Sequence, residues 1–160
     1  MLQRIQTLYL ILIVIAGMLL AVLPIFTLIP NDIAIDLHQY TFSFLQVSSS
    51  THSATSLFMR NWILLALDLF ISGMALATIF GYKNRRKQRQ WCTVISMVSL
   101  FLMALTLYTI NTLRVAIGAA HTLHFSWTMI LIIIEPIIAL MAAKAIKKDD
   151  DLIRSADRLR

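Results

Sequence analysis

Apolar residues fill four long stretches of the chain almost without interruption, and polar residues collect between them. From Arg4 to Asp32 there is no formal charge, and the run TLYLILIVIAGMLLAVLPIFTLI exceeds the ~20 apolar residues needed to cross a ~30 Å hydrocarbon core. A first span is predicted over residues 5–29. A cleaved signal peptide is the competing reading, but signal cores run about 7 to 15 residues and end at an A-x-A site, which is missing here. Three further spans follow at 62–82, 91–113 and 125–145. The pattern predicts an all-α integral membrane protein, a single four-transmembrane-helix bundle over residues 1–160.

The intervening segments differ in character. Residues 31–60 are rich in Ser and Thr, with alternating Ile33, Ile35 and Leu37, then Phe42 and Phe44, a period that suits short strands or a hairpin. A basic loop, KNRRKQRQ, covers residues 83–90. A short link carrying Arg114, Gly118, His121 and His124 joins spans three and four. In the tail, residues 146–160, Leu152, Ile153, Ala156 and Leu159 recur at helical spacing, so an amphipathic extension of the last helix is predicted. No internal repeat and no Gly-rich phosphate loop interrupts this plan.

Composition agrees. With 59% hydrophobic residues, a mean hydropathy of +0.78 and 14% charged residues, against roughly 25% in a soluble domain, the chain suits lipid better than water. The net charge of +6 resides beside the apolar spans, where it serves orientation and contact with anionic inner-leaflet lipids rather than nucleic acid. One side of the spans holds twelve Lys and Arg residues (Arg4, Lys83, Arg85, Arg86, Lys87, Arg89, Lys144, Lys147, Lys148, Arg154, Arg158, Arg160) and the other holds two, Arg60 and Arg114. By the positive-inside rule both termini and the basic loop are cytoplasmic, and residues 31–60 form a periplasmic loop. Trp62 and Trp127 then mark the outer interface, Tyr82 and Trp91 the inner one. The lone cysteine, Cys92, permits no intramolecular disulfide, CxxC pair or thiolate metal site.

Two ionisable side chains lie well inside spans, Asp68 and Glu135. A charged carboxylate near a bilayer centre costs about 2.5–3.5 kcal/mol on insertion scales. Asn61, Asp68 and Ser72 share a face of helix two, and His124, Thr128, Glu135, Ala139 and Ala142 one of helix four. Two such stripes facing each other line a path for a proton or cation; in the structural alternative Asp68 is neutral or pairs with Arg114, and a protonated Glu135 is hydrogen-bonded within the bundle. Pro136 removes a backbone donor and frees the Ile132 carbonyl. Gly73, Ala77 and Gly81 repeat every four residues and predict a close helix–helix seam inside the molecule, with Gly17 and Ala21 as its counterpart.

Four histidines, His38, His52, His121 and His124, fall on the outer side with Asp36. Their spacing is not diagnostic of a metal site, and exposed histidines are the plainer explanation. Ser48, Ser49, Ser50 and Ser53 near His52 lack a nucleophile elbow or an orienting acid. No cofactor, metal or catalytic site is predicted, and the chain reads as no enzyme.

The ends of the chain carry a family resemblance: Gln3-Arg4-Ile5-Gln6 within MLQRIQTLYLIL at the front, and Pro136, Ile146, Lys148-Asp149 and Arg154-Ser155-Ala156-Asp157-Arg158-Leu159-Arg160 at the back. The chain resembles small four-span membrane proteins of Bacteroidota that are catalogued as a domain of unknown function. This resemblance implies a bacterial inner-membrane location and no activity. Because both motifs map to the cytoplasmic face, Gln3, Arg4, Gln6, Arg154, Asp157, Arg158 and Arg160 are the candidate contact surface. The leading expectation is a non-enzymatic structural or accessory subunit that meets another membrane protein or complex through that face. The alternative is a small proton-coupled transporter or channel using Asp68 and Glu135.

Overall fold

The structure is a computed structural model that describes residues 3–30, 40–44, 47–48, 55–81, 85–117 and 121–158. Eight elements follow in order: α1 (Gln3–Val22), β1 (Phe26–Pro30), β2 (Tyr40–Phe42), β3 (Val47–Ser48), α2 (Thr55–Phe80), α3 (Arg85–Ile117), β4 (His121–Phe125) and α4 (Met129–Arg158). Helix dominates. Three stretches, Asn61–Phe80, Lys87–Val115 and Met129–Asp149, are long and apolar enough to cross a membrane, and Gln6–Val22 is a shorter apolar helix.

The first helix stops well before residue 29, where the hydropathy pattern placed its end. The last helical bond runs from the Leu23 amide to the Leu19 carbonyl (2.9 Å), and Pro24, which has no N–H and disfavours helix in the residue before it, ends the element. Phe26, Thr27 and Ile29 are strand formers, and partners are waiting on both sides. β1 pairs antiparallel with β2, Phe26 opposite Phe42 and Leu28 opposite Tyr40. It also pairs antiparallel with β4 over five residues, from Phe26 opposite Phe125 to Pro30 opposite His121. With β3 on the far side of β2, the sheet order is β3-β2-β1-β4.

β4 is a second departure from the sequence reading, which had His121 and His124 in a link and began span four at residue 125. Phe125 closes the strand instead. A tight turn bonds Met129, Ile130 and Leu131 amides to the carbonyls of Ser126, Trp127 and Thr128, and the Thr128 hydroxyl donates to the Pro24 carbonyl. Strand character around Phe42 was expected and is present. The alternation at Ile33, Ile35 and Leu37, with Asp36, His38, Ser49, Ser50, His52 and Ser53, lies outside the described residues, as do Tyr82, Lys83, Gly118 and Arg160.

One face of the sheet is apolar. Phe26, Leu28, Phe42 and Phe44 are buried, and the rings of Phe26 and Phe42 stack with centroids 4.8 Å apart. The sheet stands at the end of the bundle where α1 and α3 finish and α2 and α4 begin. Asn61 ties it down, its side-chain amide donating to the Phe44 carbonyl at 2.7 Å. At the opposite end, α3 starts at Arg85. Most of the basic segment predicted as a loop is therefore the opening of a helix, for which Arg, Lys and Gln have high propensity. α4 continues without a break to Arg158, the extension that the tail's periodicity predicted.

α1 packs on α2 and α4, and α3 packs on the same two helices. Helices α2 and α4 thus face each other across the diagonal of a four-helix ring. Small and branched side chains fill the interior, Leu10, Ile13, Leu20, Ile71, Ala75, Ile95, Leu102, Ile132, Ala139 and Ala142 among them. The exterior is as apolar as the core: Leu8, Ile15, Ile63, Phe70, Met97, Phe101, Ile133 and Ile137 are all exposed. Water does not tolerate so large an apolar surface, whereas a bilayer solvates it.

Candidate functional site

Two hydrogen bonds set the heights of the helices. The Gln88 side-chain amide donates to the Thr78 carbonyl at 3.4 Å, joining α3 to α2. The Ser96 hydroxyl donates to the Pro136 carbonyl at 3.2 Å, joining α3 to α4. Ten residues along from the first tie are Asp68 on α2 and Val98 on α3, a climb of about 15 Å. One residue along from the second are Glu135 and Met97. Asp68 and Glu135 consequently occupy the same height to within about one helical turn, in the middle part of Asn61–Phe80 and of Met129–Asp149. Asp68 and Glu135 both turn into the interior of the helix ring.

Both carboxyl groups are shut away from the exterior, with 0% of Asp68 and 1% of Glu135 accessible. Beside them is the Ser72 side chain, 8% accessible. Among the described residues, neither oxygen of Asp68, neither oxygen of Glu135 and not the Ser72 Oγ has a hydrogen-bond partner. An unsatisfied buried polar group costs about 1–3 kcal/mol, so these five atoms are expensive to bury. One further orphan, Asn61 Oδ1, is two helical turns nearer the sheet.

The neighbouring helices present small or polar groups to this layer. On α1, a β-carbon at Gly17 would collide with Ser72 Oγ and stand 3.3 Å from Asp68 Oδ1. Glycine here lets α1 close over the polar layer. On α3, Ser99 is buried and its hydroxyl donates to the Ser96 carbonyl at 3.0 Å. On α4, Pro136 has no N–H to give to the Ile132 carbonyl. The Asn61, Asp68 and Ser72 stripe is buried along its length, as is the Glu135, Ala139 and Ala142 part of the α4 stripe. His124 belongs to the strand and is not part of that face.

Several sequence expectations take a different form. Arg114 does not reach Asp68: it lies sixteen residues beyond Val98 on α3, about 24 Å higher, and is exposed. Gly73, Ala77 and Gly81 face outward, and a β-carbon on Gly73 would meet nothing within 4 Å, so they form no internal seam. Gly17 instead packs against Asp68 and Ser72. Gln6 turns into the bundle, 5% accessible, and offers no contact surface. Gln3, Arg4, Arg154, Asp157 and Arg158 have helical backbones at the sheet-distal end, but their side chains lie outside the described residues, as does that of His121. His124 is exposed, its Nε2 3.5 Å from the Thr122 hydroxyl.

Sequence reasoning overlooked Ser96, Ser99 and the part played by Gly17. Two serines three residues apart in an otherwise apolar span were the available signal, since both fall on one helical face.

A family model described as a domain of unknown function, DUF4293, matches residues 2–159. The chain belongs to that family, as its terminal motifs suggested. No curated protein matches it significantly.

Proposed function

We propose, from that membership and from the carboxylate layer, that this DUF4293 protein is a non-enzymatic, proton-coupled membrane carrier in the bacterial inner membrane. All four helices cross the bilayer. α1, at 20 residues, is about 30 Å long, enough to span the hydrocarbon as the fourth segment. The sheet faces the periplasm. Both termini and the α2–α3 connection face the cytoplasm, where exposed Lys87, Arg89, Lys144, Lys147 and Lys148 meet anionic headgroups.

The observation that carries this reading is the burial of Asp68 and Glu135 at a common height in the bundle with every carboxyl oxygen unpartnered among the described residues. Intramembrane acids facing a bundle interior are the groups that proton relays and cation paths use. Of the structural alternatives for Asp68, the Arg114 pair loses its support because the two are about 24 Å apart in height; a permanently neutral Asp68 is the reading that the flux measurement separates from this one.

A second reading has its own observation. α4 runs from Asp149, where its apolar stretch ends, to Arg158, a further nine residues or about 13 Å. Such a charged helical extension suits docking on another membrane protein or complex, the role of an accessory subunit. The two readings are compatible, since a carrier can also be a subunit.

Proton flux tests the first. The full-length protein is reconstituted into liposomes enclosing a pH-sensitive dye, and a pH step is applied with valinomycin present. Flux above that of empty liposomes is expected, falling at least tenfold in Asp68→Asn and Glu135→Gln. Flux equal to empty liposomes, or unchanged by both substitutions, overturns the carrier reading.

A further inference from the structure

The proposed function leaves open which cation the layer accepts, and charge balance together with the donor set narrows it. Asp68 and Glu135 are buried at one height, and among the described residues neither has a hydrogen-bond partner. From α1 the layer meets Gly17, and from α3 it meets Ser96 and Ser99, none of them ionisable. The next buried ionisable group is Cys92, four residues along α3 from Ser96, about 6 Å lower. In a medium where an uncompensated charge is costly, the states of low energy are those with no net charge. One has both carboxyls protonated. The other has one carboxylate neutralised by a bound monovalent cation while its partner keeps its proton.

The ligand atoms suit a hard ion. Every candidate is oxygen: the Asp68 and Glu135 carboxyls and the Ser72 hydroxyl, which is more than nine-tenths buried and unpartnered. The Ser72 hydroxyl belongs to this layer by position. It and Asp68 Oδ1 flank the same space above Gly17, one helical turn apart on α2. Pro136 adds the Ile132 carbonyl, left without its helical donor next to Glu135. Oxygen sets of this kind select hard cations over softer transition metals. Among the described residues no three His, Cys, Asp or Glu side chains gather as a metal site. Ca²⁺ needs six to eight oxygens and Mg²⁺ gives up its water reluctantly, which disfavours both in so dry a layer.

We infer that the Asp68–Glu135 layer, with the Ser72 hydroxyl as a third ligand, binds a sodium-sized monovalent cation in exchange for one proton. The exchange balances: a carboxylic acid and Na⁺ become a sodium carboxylate and H⁺, with the second carboxyl unchanged. This inference rests on the carrier reading and names its cation.

The test uses the full chain in lipid nanodiscs. Sodium chloride is titrated against choline chloride at constant ionic strength, and the unfolding midpoint is followed at pH 8.5 and pH 5.5. Proton release on sodium addition is recorded with an indicator dye in weak buffer. Expected are a saturable rise in midpoint that is larger at pH 8.5, release of one proton per sodium bound, and no such response in Asp68→Asn or Glu135→Gln. Ser72→Ala keeps the carboxyls and removes one ligand, so the sodium affinity falls about fivefold or more. This milder variant keeps the test decisive where an amide variant fails to fold. Equal responses to sodium and potassium, a response to calcium in place of sodium, or sodium binding unaffected by Ser72→Ala overturns the inference. Absence of any sodium response overturns it too, and an acid pulse then separates the two proposals: proton uptake lost in Glu135→Gln leaves the carrier reading standing, and no uptake removes both.

Discussion

Gly17 sets how closely α1 approaches the carboxylate layer. Any side chain there drives a β-carbon into Ser72 Oγ, whereas Ser72 Cβ is 3.6 Å away, an ordinary contact. Gly17→Ala is therefore expected to destabilise the protein by about 1–3 kcal/mol, the usual range for overpacking. Removing the hydroxyl in a Gly17→Ala, Ser72→Ala double variant should recover most of that loss. Unfolding midpoints of the four proteins in one detergent give the coupling, and strictly additive effects would show that the two residues do not touch. The same residues show what a single sequence can reveal. Asp68 and Glu135 announce themselves because a carboxylate in an apolar span is expensive. Gly17 does not, because a glycine in a membrane helix has many uses, and its meaning depends on what stands opposite. The Gly73, Ala77 and Gly81 repeat had the clearer pattern and faces outward.

Among the elements, those whose character follows from hydropathy alone were legible and those defined by pairing were not. α2, α3 and α4 lie over most of their predicted spans because twenty or more apolar residues leave few alternatives. Phe26–Pro30 and His121–Phe125 pair with each other across nearly a hundred residues of chain, and the former pairs with β2 as well. Hydropathy reads the first of these as more helix, and only Pro24 hints otherwise. The arrangement gives the molecule two unlike ends, a sheet at one and basic helix termini at the other, and that asymmetry is testable. In intact cells bearing single introduced cysteines, a membrane-impermeant maleimide should label Thr122→Cys on the sheet and spare Lys87→Cys at the start of α3. Cys92 is buried and contributes little background. Labelling of Lys87→Cys from outside would reverse the proposed orientation.

For the molecule as a whole, the four-helix ring turns apolar side chains both inward and outward and buries two carboxyl side chains, Asp68 and Glu135, in its interior. Such an object is built for lipid, and the layer is its least explained expense. Hydrogen bonds register the helices around it: Ser96 to Pro136 joins α3 to α4, and Gln88 to Thr78 joins α3 to α2. The sequence placed both acids in the outer half or the middle of the apolar core; their relative height comes from the ties between helices, because the helix boundaries shift by several residues from their predicted positions. The proposed site rests on this agreement in height and on the occupancy of the two acids by protons.

Difference infrared spectroscopy of the full-length protein in lipid bilayers tests that claim most directly, because the carbonyl stretch of a protonated carboxyl is resolved from that of a carboxylate. The spectrum is recorded while the pH is stepped in sodium-free buffer. Expected is a buried carboxylic-acid band that gains and loses intensity reversibly with pH and is diminished in both Asp68→Asn and Glu135→Gln. A band that does not change with pH, or one that survives intact in both variants, would contradict it.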